Sequence, residues 1–210
     1  MKINKAVIYI QGQNQQQNET QAARLEKHMS SLCHANIANV LIVNDSTLPN
    51  YPDEELFENM TVYHLKMEQP VSLKKALSRC QGFIGEEPFL LIRNEVELET
   101  LTPQIYNRMM NDYYAKRHSM LMYQTAESLN GFAAANIAIE QEDYPLIKSI
   151  DQTKSNAEHV SLVGIDILRP EIFDYLQDKS LQSEGFYGAL NQMCQDQKVY
   201  GLNINGMCQA

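Results

Sequence analysis

Short apolar runs alternate with amphipathic stretches along most of this chain. The first run, Lys5–Ile10, is rich in β-branched and aromatic residues and is followed by Gly12, the signature of a buried strand. A glutamine-rich segment, Gln11–Asn18, leads into Glu19–Cys33. There Ala22, Leu25, Met29 and Leu32 recur at helical spacing, with Asn18 or Thr20 as cap. Ile37–Val43 predicts a second strand, ended by the turn residues Asn44-Asp45-Ser46. Such a strand–helix–strand unit closes right-handed with its strands parallel.

The alternation continues. Thr61–Lys66, Pro88–Ile92 and Ser119–Tyr123 predict strands, and Ser72–Cys80 and Pro103–Lys116 predict helices. After Gly131 come the shorter strands Ala133–Ile139, Leu146–Ile150 and Val160–Leu168. Two helices, Pro170–Leu176 and Gly185–Asp196, and a last strand, Val199–Ile204, complete the pattern. No internal repeat or linker divides residues 1–210, so the pattern predicts one three-layer α/β domain. Its sheet should be mostly parallel, with some antiparallel strands late in the chain.

Composition narrows the partners. The 17 Lys+Arg against 26 Asp+Glu leave a net charge of -9, which disfavours nucleic acid and anionic membranes as partners. No run approaches the ~18–20 apolar residues that span a bilayer, and the amino terminus lacks a signal-peptide cleavage site. Cys33, Cys80, Cys194 and Cys208 contain no C-x-x-C pair and predict reduced thiols in a cytoplasmic protein.

Motifs of common chemistries are scarce. Gly12 stands alone after the first strand, without the further glycines or lysine of a phosphate-cradling loop. No G-x-S-x-G elbow occurs. His28, His34, His64, His118 and His159 show no metal-ligand spacing. Lys116-Arg117-His118, following Tyr113-Tyr114, could stack on a nucleotide, but cations also suit a helix carboxyl end. Arg93-Asn94-Glu95 lies just past a buried strand, where open α/β sheets place ligands. Glu95 is there either a Mg²⁺ ligand or solvated surface.

The order of segments resembles the bacterial UTP–glucose-1-phosphate uridylyltransferases, the nucleotide-sugar pyrophosphorylases. Four stretches carry the resemblance: Lys5-Ala6-Val7-Ile8; Gln69–Ile92, which matches a G-L-G-H-A segment, an alanine-cysteine helix and G-D-E-P-F; Ser161–Phe173, which matches VGRYVL…IF; and the closing Ala189–Gly206. The resemblance implies a Rossmann-like nucleotide-diphospho-sugar transferase fold. Its partners would be a nucleotide or sugar phosphate, with Mg²⁺ required if a nucleotide binds and no other cofactor.

The departures from that family bear on function. Its phosphate loop G-L-G-T-R corresponds to Gly12–Gln16, which lacks the second glycine and the arginine. A following segment with a lysine and P-K-E-M is missing. The base-recognising G-L-G-H-A becomes Ser72-Leu73-Lys74-Lys75-Ala76, with side chains where glycine backbone would approach a base. The metal aspartate of L-P-D falls at Glu95. The E-K-P lysine has no equivalent near Ile150–Thr153 unless Lys148 or Lys154 replaces it, and the T-D near the sugar becomes Tyr187-Gly188. The sequence ends, at Ala210, about where a second metal-binding aspartate is expected.

By the resemblance, nucleotide-binding positions would be Gly12, Gln16, Ser72, Lys74 and Lys75, with Lys148 on phosphate and Glu95 on metal. Attack by a sugar phosphate on the α-phosphate of UTP relies on positioned cations. Losing one such group costs factors of ~10²–10³. The expectation is therefore a degenerate relative without ordinary turnover, acting as an interaction or regulatory protein, with an active uridylyltransferase paralogue or another protein as partner. The alternatives are a low-activity or altered-substrate nucleotidyltransferase, and a non-catalytic sensor of nucleotide or sugar phosphate.

Overall fold

In a computed structural model that describes residues 2–10, 18–45, 57, 59–93, 102–125, 134–138, 144–151 and 160–205, the first unit is β1 (Lys5–Ile10), α1 (Asn18–His34) and β2 (Asn39–Asp45). β3 (Thr61–Met67), α2 (Leu73–Ile84), β4 (Phe89–Arg93), α3 (Pro103–Lys116) and β5 (Met120–Thr125) follow. The remainder comprises β6 (Ala134–Ala138), β7 (Leu146–Asp151), β8 (Val160–Leu168), α4 (Ile172–Gln177), a 3-10 segment (Lys179–Glu184), α5 (Gly185–Asp196) and β9 (Tyr200–Asn203).

Most boundaries lie within two residues of the periodicity, with β2 running on through Asn44 and Asp45, which read as a turn, and two of the shifts have a local reason. β2 starts two residues later than expected because Ile37 belongs to the end of α1. Asn36 adopts φ 57°, and the Ile37 and Asn36 amides donate to the Leu32 and Cys33 carbonyls. That pairing closes a helix with a left-handed residue. α2 runs past Cys80 and through Gly82 to Ile84; Gly85, at φ 64°, stops it by donating its amide to Gln81. The 3-10 segment carries no apolar period and was not expected.

The nine strands form one sheet in the order β3-β2-β1-β4-β8-β5-β9-β7-β6. β3, β2, β1 and β4 pair in parallel. β8 lies antiparallel between β4 and β5, and β9 is parallel to β5. The β6–β7 hairpin attaches through Ala134↔Ser161 and Leu146↔Tyr200. The carboxyl ends of β1–β5 and β9 therefore line one end of the sheet, where β8 begins.

Helices cover both faces, giving the expected three layers. Ala6, Ile8, Leu90 and Ile92 pack with α1 and α3, while Val7, Tyr9, Phe89 and Leu91 pack with α2, α4 and α5. Burial on both faces explains why β1 and β4 read as unbroken apolar runs. Among the described residues, no helix is long and apolar enough to cross a membrane.

Candidate functional site

The carboxyl end of the sheet carries a polar cluster on the face covered by α2, α4 and α5. Arg93, the last residue of β4, is only 6% exposed, and Asp166, on β8 opposite the middle of β4, is fully buried. The register sets Leu91 opposite Asp166, which makes Arg93 the diagonal neighbour of Asp166 on the same face. Arg93 Nη2 lies 3.2 Å from Asp166 Oδ2, and Nη1 donates to the Tyr187 hydroxyl near the start of α5. The guanidinium also stands 5.3 Å from the Tyr187 ring centroid and 5.8 Å from that of Phe186.

Burial pushes the Asp166 carboxyl up to about 6, against the opposing pull of the Arg93 charge, its hydrogen bond and the Met122 amide. That amide comes from β5 at a register irregularity between Leu121 and Tyr123. Arg93 Nε and Asp166 Oδ1 have no hydrogen-bond partner among the described residues. Beside this cluster, the Tyr9 hydroxyl at the end of β1 donates to the Val71 carbonyl over 2.6 Å, fixing the approach to α2.

The amino end of α2 holds three of the predicted positions. Ser72 caps the helix, accepting from the Lys75 amide at 3.4 Å. The Lys74 amine donates to the Leu181 carbonyl at 2.9 Å. Its charge also helps hold the Asp178 carboxyl below its usual value, after the Ser180 hydrogen bonds. Lys74 thus ties α2 to the 3-10 segment. Lys75 is exposed. Lys148 is exposed on β7, five strands along from β1 in the sheet order, so the structure does not bring it to α2. Gly12, Gln16 and Glu95 lie outside the described residues. So no metal ligation is assigned to Glu95, and among the described residues no three His, Cys, Asp or Glu side chains cluster to hold a metal.

Lys116-Arg117-His118 lies at the opposite end of the sheet, before β5. Lys116 stands 5.1 Å from the Tyr144 ring and 5.3 Å from Tyr200, Arg117 stands 5.5 Å from Tyr114, and the Arg117 amide closes α3 on Tyr113. The helix-end reading describes these residues.

Sequence reasoning missed the Arg93–Asp166–Tyr187 cluster. Its one signal was a lone aspartate inside the otherwise apolar strand Val160–Leu168.

No family model matches the chain. A UTP–glucose-1-phosphate uridylyltransferase from Staphylococcus haemolyticus is 27% identical over 156 residues, covering 69% of this chain and 53% of that protein. One from Staphylococcus saprophyticus is 23% identical over 154 residues. This chain is a divergent relative of the uridylyltransferases. It spans about half the length of the curated uridylyltransferases it matches.

Solved structures show the same fold. The UTP-bound enzyme from Acinetobacter baumannii superposes with a TM-score of 0.78 at 16% identity, over 96% of this chain and 86% of that one. A UDP-glucose pyrophosphorylase complexed with UDP-glucose gives 0.74 at 15% identity, over 96% and 90%.

Proposed function

We propose that this chain is a degenerate uridylyltransferase relative without ordinary turnover, acting in the cytoplasm as an interaction or regulatory protein linked to nucleotide-sugar metabolism. Its partner would be an active paralogue or another protein. One observation carries the reading: Lys74, a nucleotide-binding position by resemblance, stands where that family has glycine and donates its amine to the Leu181 carbonyl. Arg93, the cation nearest the strand ends on β4, is likewise committed to Asp166 and Tyr187. Transfer between a nucleoside triphosphate and a sugar phosphate needs cations aimed at the phosphates. Where the resemblance expects the loop arginine the chain carries Gln16, and where it expects the E-K-P lysine, near Ile150–Thr153, no lysine falls in register.

The test pairs a thermal-melt titration with a turnover assay. UTP, UDP-glucose and glucose 1-phosphate are each titrated with and without Mg²⁺, and UDP-glucose formation is measured on the same preparation. A native-state ligand at 100 times its dissociation constant stabilises by about 2.7 kcal/mol, a readily visible shift. The expected outcome is no UDP-glucose formation above the uncatalysed background. Sustained Mg²⁺-dependent formation would overturn the proposal in favour of an altered nucleotidyltransferase. A saturable shift without product would assign the sensor role.

A further inference from the structure

The Arg93–Asp166–Tyr187 cluster joins three elements through one buried charge pair, and this arrangement has a consequence independent of any turnover. Arg93 comes from β4, Asp166 from β8 and Tyr187 from α5. With Asp166 ionised, the pair is neutral overall, and the guanidinium is drawn onto the sheet beneath the Tyr187 ring. With Asp166 protonated, the same guanidinium would be a buried cation without a counter-charge, an arrangement the interior disfavours. Arginine has a long flexible stem and sits here at the end of its strand. Its low-energy response is to swing the charged head outward.

We propose that Arg93, Asp166 and Tyr187 form a proton-sensitive latch: an ionised Asp166 holds Arg93 down and clamps the start of α5 to β4 and β8, and uptake of one proton from solvent onto the Asp166 carboxylate frees the guanidinium to move out to the strand ends.

The surroundings single out Asp166 as the group that titrates. On β4 the facing charged group is Arg93, which stays protonated in proteins. On β5 the facing polar group is the neutral Met122 backbone amide. On α5 they are the Tyr187 hydroxyl and the Cys194 thiol, the latter pushed up to about 12 by burial and by Asp166. Cys80 of α2, in the same apolar layer, is also pushed up to about 12. The orphan Nε of Arg93 and Oδ1 of Asp166 leave the pair joined by one contact, so no second hydrogen bond between them opposes release.

The chain contains six arginines, so ¹⁵N–¹H NMR of the arginine Nε groups resolves the question on the full protein. Arg93→Lys assigns the Arg93 signal. Between pH 7.5 and 5 that signal should move with a single midpoint near 6, and its protection from solvent exchange should fall at least tenfold. In Asp166→Asn the movement should vanish. Tyr187→Phe, which removes a hydroxyl and keeps the ring, should retain the midpoint with weaker protection at pH 7.5. An Arg93 signal that stays fixed and protected across the range in a folded protein would overturn the latch, as would a titration that persists in Asp166→Asn. Should Asp166→Asn fail to fold, the comparison falls to Tyr187→Phe, where undiminished protection at pH 7.5 would refute the clamp.

Discussion

Each helical layer buries one polar pair against the sheet, and the two pairs are chemically opposite. Between α1 and α3, His28 Nδ1 lies 2.8 Å from the Tyr106 hydroxyl, a contact between neutral groups. Beneath α5, Arg93 and Asp166 form an ion pair. Burial holds both His28 and Asp166 towards their uncharged forms: it lowers the imidazole to about 4 and raises the carboxyl to about 6. Removing the proton neutralises the histidine, whereas adding one neutralises the aspartate. The neutral pair lies wholly within one helical layer, while the ionic pair lies at the sheet end where open α/β folds bind ligands. The buried charges there carry a desolvation cost that the neutral pair does not.

The largest test of that contrast removes one partner. Asp166→Ala leaves the Arg93 cation buried and should destabilise the fold by about 3–5 kcal/mol in urea unfolding. The triple variant Arg93→Met/Asp166→Leu/Tyr187→Phe removes every polar group of the cluster and should recover most of that loss. If the triple variant is as unstable as the single one, the cost lies in packing rather than in the orphaned charge.

A smaller effect, of opposite sign at the two sites, appears with pH. The folded-state value of His28 is depressed, so its contribution is complete above pH 6.5 and lost as pH falls towards 4. That of Asp166 is raised, so its contribution is complete below 3.8 and lost as pH rises through about 6. Shifts of this size correspond to roughly 3 kcal/mol each, and the two offset each other between pH 4 and 6. Replacing either group should expose the other. Relative to the parent, His28→Leu should gain stability on acidification from pH 6.5 to 4, and the triple cluster variant should lose it. Parallel pH profiles for all three proteins would refute the assignment.

Much of this molecule was legible from residue order. Lys5–Ile10, Pro103–Lys116, Val160–Leu168 and Gly185–Asp196 were placed to the residue, because burial of both sheet faces and regular helical spacing leave strong local signals. The strand ends were the harder part. Asp166 gains its meaning from Arg93, 73 positions away, and no local pattern encodes a diagonal contact between antiparallel strands that a crossover separates. Lys74 illustrates the same limit. Its place in the first turn of a helix after a β-strand suggests an anion site, yet a carbonyl 107 positions away takes its amine.

If Lys74 serves as a tie between α2 and the 3-10 segment, Lys74→Met should cost about 1–2 kcal/mol, because it removes a charged donor from a partly buried carbonyl. In a chain of this size that corresponds to a fall in Tm of a few degrees. Any shift that UTP produces in the parent protein should persist unchanged in the variant, since the amine that was removed is the one donated to the Leu181 carbonyl. A phosphate ligand at this position would behave the other way, with an unaltered Tm without nucleotide and a UTP-induced shift reduced or abolished. Because the two roles move different quantities, one melt series on two proteins separates them.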